Sequence, residues 1–380
     1  MREVYVSGIG CTKVKEMWET PLRSLAVEAI RKAMQDAQID SAEALYVGNM
    51  LSGELCSQEH LGALISDFAA LDGIEAFKVE AACASGAAAL RCGFLAVASG
   101  LVDNAIVCGV EQMTDVLGER VTYAHSLASD GDYEGANGLT FVALNALLMR
   151  RYMHEFSYER EDLAEFAVNA HRNAAGNEFA MFRREISLEN LLKSSMVADP
   201  ITILDCSPVC DGAAALILSS QRKASPHPLI KITGSGVATD TISLHDRANP
   251  LFFKACYESS KKAYEMAKRK PEDIGLFELH DAFTIISALS LEACGFAEMG
   301  KGAELAKEKE IALDGKIPIT TMGGCKARGN PLGATGVYQI LEVVKQLRGE
   351  ALKNQVETEI GMAQNIGGVG ATAVTHILEV

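Results

Sequence analysis

Short apolar runs alternate along the chain with longer segments in which apolar residues recur three or four positions apart. Residues 4–10 (VYVSGIG) form the first short run, and Leu22, Leu25, Ala26 and Ile30 begin the first helical pattern. These periods predict a β-strand followed by an amphipathic helix. Further short runs at 44–48, 105–109 and 214–218 are separated by helix-like segments. Strands that alternate with helices indicate βαβ units around a largely buried sheet, and therefore an α/β fold.

The second part of the chain repeats this order. Short apolar runs at 229–232, 276–279 and 373–378 alternate with helical patterns at 255–267 and 337–347. The segments 211–214 (DGAA) and 370–373 (GATA) introduce the corresponding last strands. This weak internal symmetry predicts two related α/β halves, residues 1–220 and 221–380.

Residues 114–207 interrupt the first half and are richer in charged residues, Asn, His and Met. Within them, Leu163, Phe166, Ala167 and Ala170 have the spacing of an amphipathic helix. We predict that this segment is an inserted loop domain. Long insertions in compact α/β folds often carry substrate contacts, and the alternative is a solvated helical excursion.

Composition narrows the class of protein. With 380 residues, 48% of them hydrophobic, the chain can bury a large core, and its net charge of −15 argues against nonspecific binding to nucleic acid or to an anionic membrane. Ten cysteines and no apolar leader favour a cytoplasmic protein with free thiols. The spacing of Cys206 and Cys210 does not fit a zinc knuckle, so no metal is expected. We also expect no membrane span, because uncharged apolar runs are short.

One cysteine has a local context that the others lack. Cys83 lies in the segment 79–90 (VEAACASGAAAL), between a strand-like approach and an Ala-rich helical run. A thiol at a helix N-terminus meets the positive end of the helix dipole and free N–H groups, which can lower its pKa and hold an oxyanion. The alternative is that Cys83 packs as a small hydrophobic residue. The context favours an acyl-accepting nucleophile.

Several motifs in one order resemble the thiolase superfamily across nearly the full length of the chain. They are 83–86 (CASG), 109–113 (GVEQM), 205–208 (DCSP), 211–214 (DGAA), 280–283 (HDAF) and 329–336 (GNPLGATG). The HDAF version is similar to archaeal and sterol-carrier-type members. The resemblance implies two βαβαβαββ halves in a five-layered αβαβα core, with an inserted loop domain. It also implies a homodimer, coenzyme A as cosubstrate, no tightly bound cofactor, and cleavage of a β-ketoacyl-CoA or the reverse Claisen condensation through an acyl-Cys83 intermediate.

The chain departs from the thiolase pattern at two positions. Asn330 stands where the family has the histidine of a Gly-His-Pro motif, and Asn365 stands where the family has a second cysteine. Asn330 can donate a hydrogen bond to an oxyanion, but an amide is not a base. Among the residues placed by the motifs, His280 is the one that titrates near neutral pH when unperturbed, so one hypothesis gives it the acid/base work. The alternative is that His280 only orients a water or the thioester.

The resemblance also implies which groups surround the substrate. It places an oxyanion hole at the backbone N–H groups of Cys83 and Gly367. Possible substrate-lining residues are His60, Phe283 and Asn365, whereas His125 and His245 are weaker candidates. Cationic contacts to the coenzyme A phosphates are left open, with candidates Arg172, Arg183, Arg184, Arg222 and Lys223.

The substrate and the assembly remain open at this point. The loss of both family residues suggests a substrate unlike acetoacetyl-CoA, for example 2-benzoylsuccinyl-CoA, which would be cleaved to benzoyl-CoA and succinyl-CoA. Alternatives are an acetoacetyl-CoA thiolase, a C-acyltransferase with a non-CoA acceptor, and a noncatalytic scaffold that binds CoA esters. The HDAF version also suggests a small zinc-ribbon/OB-fold partner subunit. No nucleic acid or membrane is expected as a partner.

Overall fold

The computed structural model describes residues 1–221 and 227–380. Strands are numbered in chain order: β1 Tyr5–Cys11, β2 Ala44–Gly48, β3 Glu75–Val79, β4 Asn104–Glu111, β5 Met196–Ala198, β6 Ile201–Thr202, β7 Gly212–Ser219, β8 Ile230–Thr239, β9 Leu276–Glu278, β10 Ile360–Gly367 and β11 Thr372–Glu379. The helices are α1 Leu22–Ala37, α2 Ser52–Cys56, α3 Leu61–Phe68, α4 Ser85–Ser99, α5 Gly118–Ser126, α6 Phe141–Phe156, α7 Arg160–Ala174, α8 Leu188–Leu192, α9 Lys254–Ala267, α10 Thr284–Ala293, α11 Gly302–Lys307 and α12 Leu332–Leu347.

Nine strands form one sheet in the order β3-β2-β4-β7-β1-β8-β11-β10-β9. In the first half β2 pairs in parallel with β3 and β4, and the β4–β7 and β7–β1 pairs are antiparallel. The second half repeats this arrangement: β10 is parallel to β9 and antiparallel to β11, which is antiparallel to β8. A bridge from Phe277 to Ile319 takes the place of the β2–β3 pair. The two related halves predicted from the sequence are therefore confirmed.

Helices α4 and α12 form the central layer of the molecule. They pack on each other, and both contact strands of the two halves. Helices α1 and α3 pack on strands of the first half, while α9 packs on strands of the second and contacts α10. Every residue of α12 except Lys345 is buried, as expected for a helix enclosed on both sides. A Cβ at Gly86 of α4 would lie 2.6 Å from the Gly333 carbonyl oxygen, so glycine permits this close approach.

One strand of the sheet was not predicted. The segment 360–367 forms β10 without a predicted strand, whereas β3 leads to the strand-like approach predicted before Cys83. β10 (IGMAQNIG) contains glycine and amide residues, which have low β-propensity. It is a strand because β9 and β11 pair with it on both sides. Pairing between distant segments overrides the local preference there.

One helical stretch in the described ranges, residues 82–99, is long and apolar enough to cross a membrane by length and composition, and it includes α4. Two thirds of it is buried inside the protein, and the core helix of a globular protein passes the same test. All ten cysteines are free thiols. Across residues 1–221 and 227–380, no group of three His, Cys, Asp or Glu side chains could hold a metal ion.

Candidate active site

A cavity of about 370 Å³ lies over Cys83, and we call it the Cys83 cavity. Eighteen residues line it, and eleven of them belong to the segment 114–207. The rest come from turns of the two halves, among them Met50, Asn330 and Leu332. The amphipathic helix predicted in the inserted segment is α7. The inserted segment is therefore a wall of this cavity and not a solvated excursion.

Cys83 lies in the turn that leads into α4, and its side chain is 4% exposed. The turn is held by local hydrogen bonds. Ser85 Oγ accepts the Ala81 N–H at 2.9 Å and donates to the Ala82 carbonyl oxygen at 2.6 Å. Ala82 has a φ of 52°, a left-handed conformation that is strained for a residue with a side chain. The turn thus directs the sulfur of Cys83 to the base of the cavity.

The pKa of the Cys83 thiol does not follow the prediction from its helix. Burial raises this pKa to about 12, and the charge of Glu111 acts in the same direction. Hydrogen bonds from the N–H groups of Gly368 and of Cys83 itself oppose this rise but are smaller. The predicted lowering of the pKa was wrong, because burial of the sulfur outweighs the helix N-terminus. At neutral pH Cys83 is a thiol and needs a proton acceptor before it can attack.

This raised pKa predicts how the free enzyme reacts with an alkylating agent. The alkylation rate of Cys83 by iodoacetamide should rise about tenfold per pH unit from pH 6 to pH 10 without a plateau, because only the thiolate reacts. Mass spectrometry of the peptide that contains Cys83 measures this rate. A plateau below pH 8 would show that the thiolate is already formed near neutrality and would contradict the assignment.

A backbone N–H beside Cys83 adds to those that the family implies. The backbone N–H of Gly368 acts on the Cys83 thiol and lowers its pKa. Gly368 has a φ of 62° and lies at the end of β10. A Cβ at Gly367 would lie 2.3 Å from the Ala81 carbonyl oxygen, so this glycine is required for β10 to pass the Cys83 turn. The oxyanion hole that the family implies at the N–H groups of Cys83 and Gly367 stays a prediction, because such a hole serves the substrate oxygen and not the resting thiol.

His280 is buried just after β9, with 2% of its surface exposed. Its Nδ1 lies 2.9 Å from the Nδ2 of Asn365. With the Asn365 amide in this orientation its nitrogen donates, so Nδ1 is assigned as the acceptor and the ring hydrogen to Nε2. Burial, aided by the charge of Arg328, lowers the pKa of His280 to about 3. This geometry opposes the acid/base hypothesis for His280 and favours the alternative, in which a neutral imidazole donates through Nε2.

Asn330 lines the Cys83 cavity immediately before α12. Its Oδ1 accepts a hydrogen bond from Thr335 Oγ1 at 2.7 Å, and its Nδ2 donates to Ser207 Oγ at 3.2 Å. Its backbone N–H donates to the Cys210 sulfur at 3.1 Å. These contacts fix the amide with its nitrogen, which carries two hydrogens, on the side of Ser207, another lining residue. Asn330 is a hydrogen-bond donor here, as its chemistry suggested.

The other predicted lining residues have different positions. Phe283 lines the cavity, and its ring centroid is 5.9 Å from that of Phe141. Asn365 is buried behind His280 and is not a lining residue. His60 is exposed at the start of α3, outside the lining, so its predicted place is corrected.

None of the described candidate cations for the coenzyme A phosphates lines the Cys83 cavity, and their role stays a prediction. Arg172 is paired with Glu165 at 3.0 Å, and Arg183 and Arg184 are exposed. Arg222 and Lys223 lie outside the described residues.

Two polar residues line the cavity, one a weaker candidate from the sequence and one with no predicted role. His125 lines the cavity from α5, and Cys206 lines it from the DCSP motif. The motif order pointed toward Cys206, but no local pattern distinguishes His125. Its place depends on how α5 packs against the turn of Cys83.

A buried carboxylate connects the turns around Cys83. Glu111, at the end of β4, is fully buried. One of its oxygens accepts from Asn49 Nδ2 at 2.8 Å and from the Leu51 N–H at 3.0 Å. The other accepts from the Met50 N–H at 3.0 Å and from the Gly333 N–H at 2.9 Å. Burial raises the pKa of Glu111 to about 7, although these donors oppose the shift. The carboxylate joins the ends of β2 and β4 to the start of α12.

Replacing this carboxylate by an amide should destabilise the fold. In Glu111→Gln one acceptor oxygen becomes an NH₂ group that faces N–H donors, so two hydrogen bonds are lost and a donor is left unsatisfied. We expect the free energy of unfolding to fall by about 2–3 kcal/mol. Urea denaturation followed by circular dichroism measures the change. Glu265→Gln, at an exposed position on α9, is the matched control and should be neutral. Equal stability of the two variants would contradict the role of Glu111.

Comparisons with known proteins agree with this fold and site. The family described as "Thiolase, N-terminal domain" matches residues 6–222, and "Thiolase C-terminal domain-like" matches residues 236–380. An acetyl-CoA acetyltransferase of Methanothermobacter thermautotrophicus is 46% identical over 99% of both chains. The benzoylsuccinyl-CoA thiolase subunit BbsB of Thauera aromatica is 31% identical over 97% of this chain and 95% of its own. A solved chain of the Ltp2-ChsH2(DUF35) aldolase shares the fold, with a TM-score of 0.86, 23% identity and coverage of 98% and 97%.

The fold and the site define a thiolase-type acyltransferase. Family matches cover both halves, and relatives are similar over nearly the whole chain. The chain belongs to the thiolase family. Its predicted fold and enzyme class are confirmed.

Proposed function

We propose that this protein is an acetyl-CoA acetyltransferase that works through an acetyl-Cys83 intermediate. The observation that carries the proposal is the surrounding of Cys83 by hydrogen-bond donors. The N–H groups of Gly368 and Cys83 meet at the sulfur, and the Asn330 amide lines the same cavity. Preorganised donors of this kind stabilise the oxyanion of acyl transfer. The acetyltransferase of M. thermautotrophicus, at 46% identity, supports acetyl-CoA as the substrate.

The proposed reaction has two stages. The Cys83 sulfur attacks the carbonyl carbon of acetyl-CoA, the thioester C–S bond breaks, and coenzyme A leaves as the thiol with the proton from Cys83. A second acetyl-CoA then loses a methyl proton, and its enolate attacks acetyl-Cys83. The new C–C bond gives acetoacetyl-CoA, and the sulfur of Cys83 recovers the proton. Read in reverse, the same steps cleave a β-ketoacyl-CoA with free coenzyme A.

An aromatic acyl group is the second candidate. The Cys83 cavity includes the paired rings of Phe141 and Phe283 together with apolar side chains such as Val142. Aromatic pairs of this kind accept another ring by edge or offset contact. The 31% identity to BbsB also supports 2-benzoylsuccinyl-CoA as a substrate. The higher identity to an acetyltransferase makes the acetyl group our first choice.

Intact mass measurement tests both candidates. Wild-type protein and Cys83→Ala are incubated with acetyl-CoA, benzoyl-CoA and succinyl-CoA in turn. We expect an acetyl adduct on the wild type and none on the variant. A benzoyl or succinyl adduct alone would favour the aromatic substrate, whereas an adduct released by a phenolic acceptor but not by coenzyme A would favour the C-acyltransferase. No adduct, with coenzyme A still bound, would favour a noncatalytic scaffold.

We also propose that the protein acts as a homodimer with a small zinc-ribbon/OB-fold partner subunit. The HDAF motif at 280–283 supports this proposal. Light scattering of the purified chain should give the mass of a dimer. Full turnover by the chain without any co-purified subunit would count against the partner.

A further inference from the structure

The groups around Cys83 that were placed by the family motifs are all hydrogen-bond donors. Gly368 and Cys83 present N–H groups, and the Asn330 amide nitrogen donates. His280 has its Nδ1 lone pair engaged by Asn365, so its remaining ring nitrogen carries hydrogen. Such a set can hold an oxyanion, but none of its members can take the proton of the Cys83 thiol. The proton acceptor therefore lies elsewhere in the cavity.

The cavity lining contains few groups that can exchange a proton. Of its eighteen residues, three have side chains that titrate: Cys83, Cys206 and His125. Burial raises the pKa of Cys206 to about 12, so its thiol is as weak an acid as that of Cys83 and offers no lone pair basic enough at neutral pH. Among the described lining residues, His125 is the one with a basic nitrogen.

Helix α5 brings His125 to the turn of Cys83. Val121 and Ala124, one turn and one residue before His125, belong to the same apolar cluster as Cys83. The chain just after the helix reaches Gly368, since a Cβ there would lie 2.8 Å from the carbonyl oxygen of Ala128. α5 shares an apolar cluster with Cys83, and the residues that follow α5 lie against Gly368.

The imidazole of His125 is held in the acceptor form. Its Nε2 is buried and has no hydrogen-bond partner among the described residues. Burial lowers the pKa of His125 to about 4, and no charged side chain contributes to the shift. At neutral pH the ring is uncharged and keeps a free lone pair. Proton transfer from Cys83 would leave a thiolate and an imidazolium in the same cavity, where their attraction opposes the cost of burying each charge.

We infer that His125 is the proton acceptor for Cys83, in place of the family histidine that is Asn330 in this chain. This inference rests on the proposed function. His125 takes the Sγ proton as the sulfur attacks acetyl-CoA, and it returns that proton to the sulfur of departing coenzyme A. In the second stage His125 accepts the methyl proton of the second acetyl-CoA and delivers it to Cys83 as acetoacetyl-CoA forms. His125 therefore accepts and returns the proton in both stages.

The test compares His125→Asn with the wild type by rapid-quench mass spectrometry of Cys83 acetylation. We expect the acetylation rate to fall by about 10²–10⁴-fold, the usual contribution of a general base, with KM for acetyl-CoA changed less than threefold. His245→Asn is the matched control, because His245 is half-exposed and is not in the cavity lining. Thermal unfolding of both variants checks that they fold.

The pH profile separates a base from a structural residue. In His125→Asn the acetylation rate should rise about tenfold per pH unit, because solution base must now supply the thiolate, while the wild-type profile is flatter. An acetylation rate within threefold of wild type, or a loss with the wild-type profile unchanged, would overturn the inference. If His280→Asn showed the steeper profile instead, the base would be His280. A wild-type protein that forms no adduct would overturn the proposed function together with this inference.

Discussion

Cys83→Ala is expected to lose at least about 10³-fold in turnover of acetyl-CoA, because the acyl group then has no thiol with which to form a covalent intermediate. The fold should survive, since alanine is smaller than cysteine and the site is a turn next to a cavity. Steady-state formation of acetoacetyl-CoA, followed by its absorbance with magnesium, measures the loss. The large size of the effect comes from removing the covalent path and not from a change in binding.

Two other cysteines make this test specific. Cys92 lies on α4 outside the cavity lining, so Cys92→Ala should retain the wild-type rate. Cys206 lines the cavity and is the alternative nucleophile. The proposed intermediate would be contradicted if turnover survived in Cys83→Ala and disappeared in Cys206→Ala. Cys206 would then be the nucleophile.

Arg328→Met is expected to lower the free energy of unfolding by about 3–5 kcal/mol, the usual cost of leaving a buried charge without its partner. Arg328 is fully buried, with its Nε 2.8 Å from Glu342 Oε1 and its guanidinium 4.8 Å from the centre of the Tyr338 ring. Burial raises the pKa of Glu342, and the charge of Arg328 opposes this rise. Without Arg328, the Glu342 carboxylate must either take up a proton or stay charged in the core. Either outcome destabilises the folded state.

Chemical denaturation of three variants tests this prediction. The double variant Arg328→Met/Glu342→Gln should recover most of the loss, because a buried pair replaced by neutral groups is often close to neutral in stability. Arg151→Met is the control, since Arg151 pairs with Glu155 at 2.7 Å on the surface and should lose less than about 1 kcal/mol. A similar loss in Arg328→Met and Arg151→Met would show that the buried pair contributes no more than an exposed one.

Arg328 also connects stability to the site. It ends the π-helical turn Gly324–Arg328, two residues before Asn330. Its carbonyl oxygen accepts the Met181 N–H at 2.9 Å, which ties the inserted segment to the same turn. The pair with Glu342 therefore anchors the chain that presents Asn330 to the cavity. We expect Arg328 variants to lose activity along with stability.

The local sequence determined the secondary structure wherever its period was clear. The helical spacing predicted from Leu22 onward is α1, and the run 44–48 is β2. Residue types in order determined the family, since its six motifs need only the sequence. The position of Cys83 before a helix also followed from its neighbours in the chain. Such features depend on residues a few positions apart, and the sequence contains them directly.

Only the tertiary structure decided how the site works. β10 became a strand because β9 and β11 pair with it, and His280 acquired its tautomer from Asn365, 85 residues away. Burial raised the pKa of Cys83 against the effect of its own helix. His125 entered the cavity because α5 packs on the turn of Cys83. Each of these outcomes depends on desolvation or on contacts between segments far apart in the chain, and no local pattern of residues encodes them.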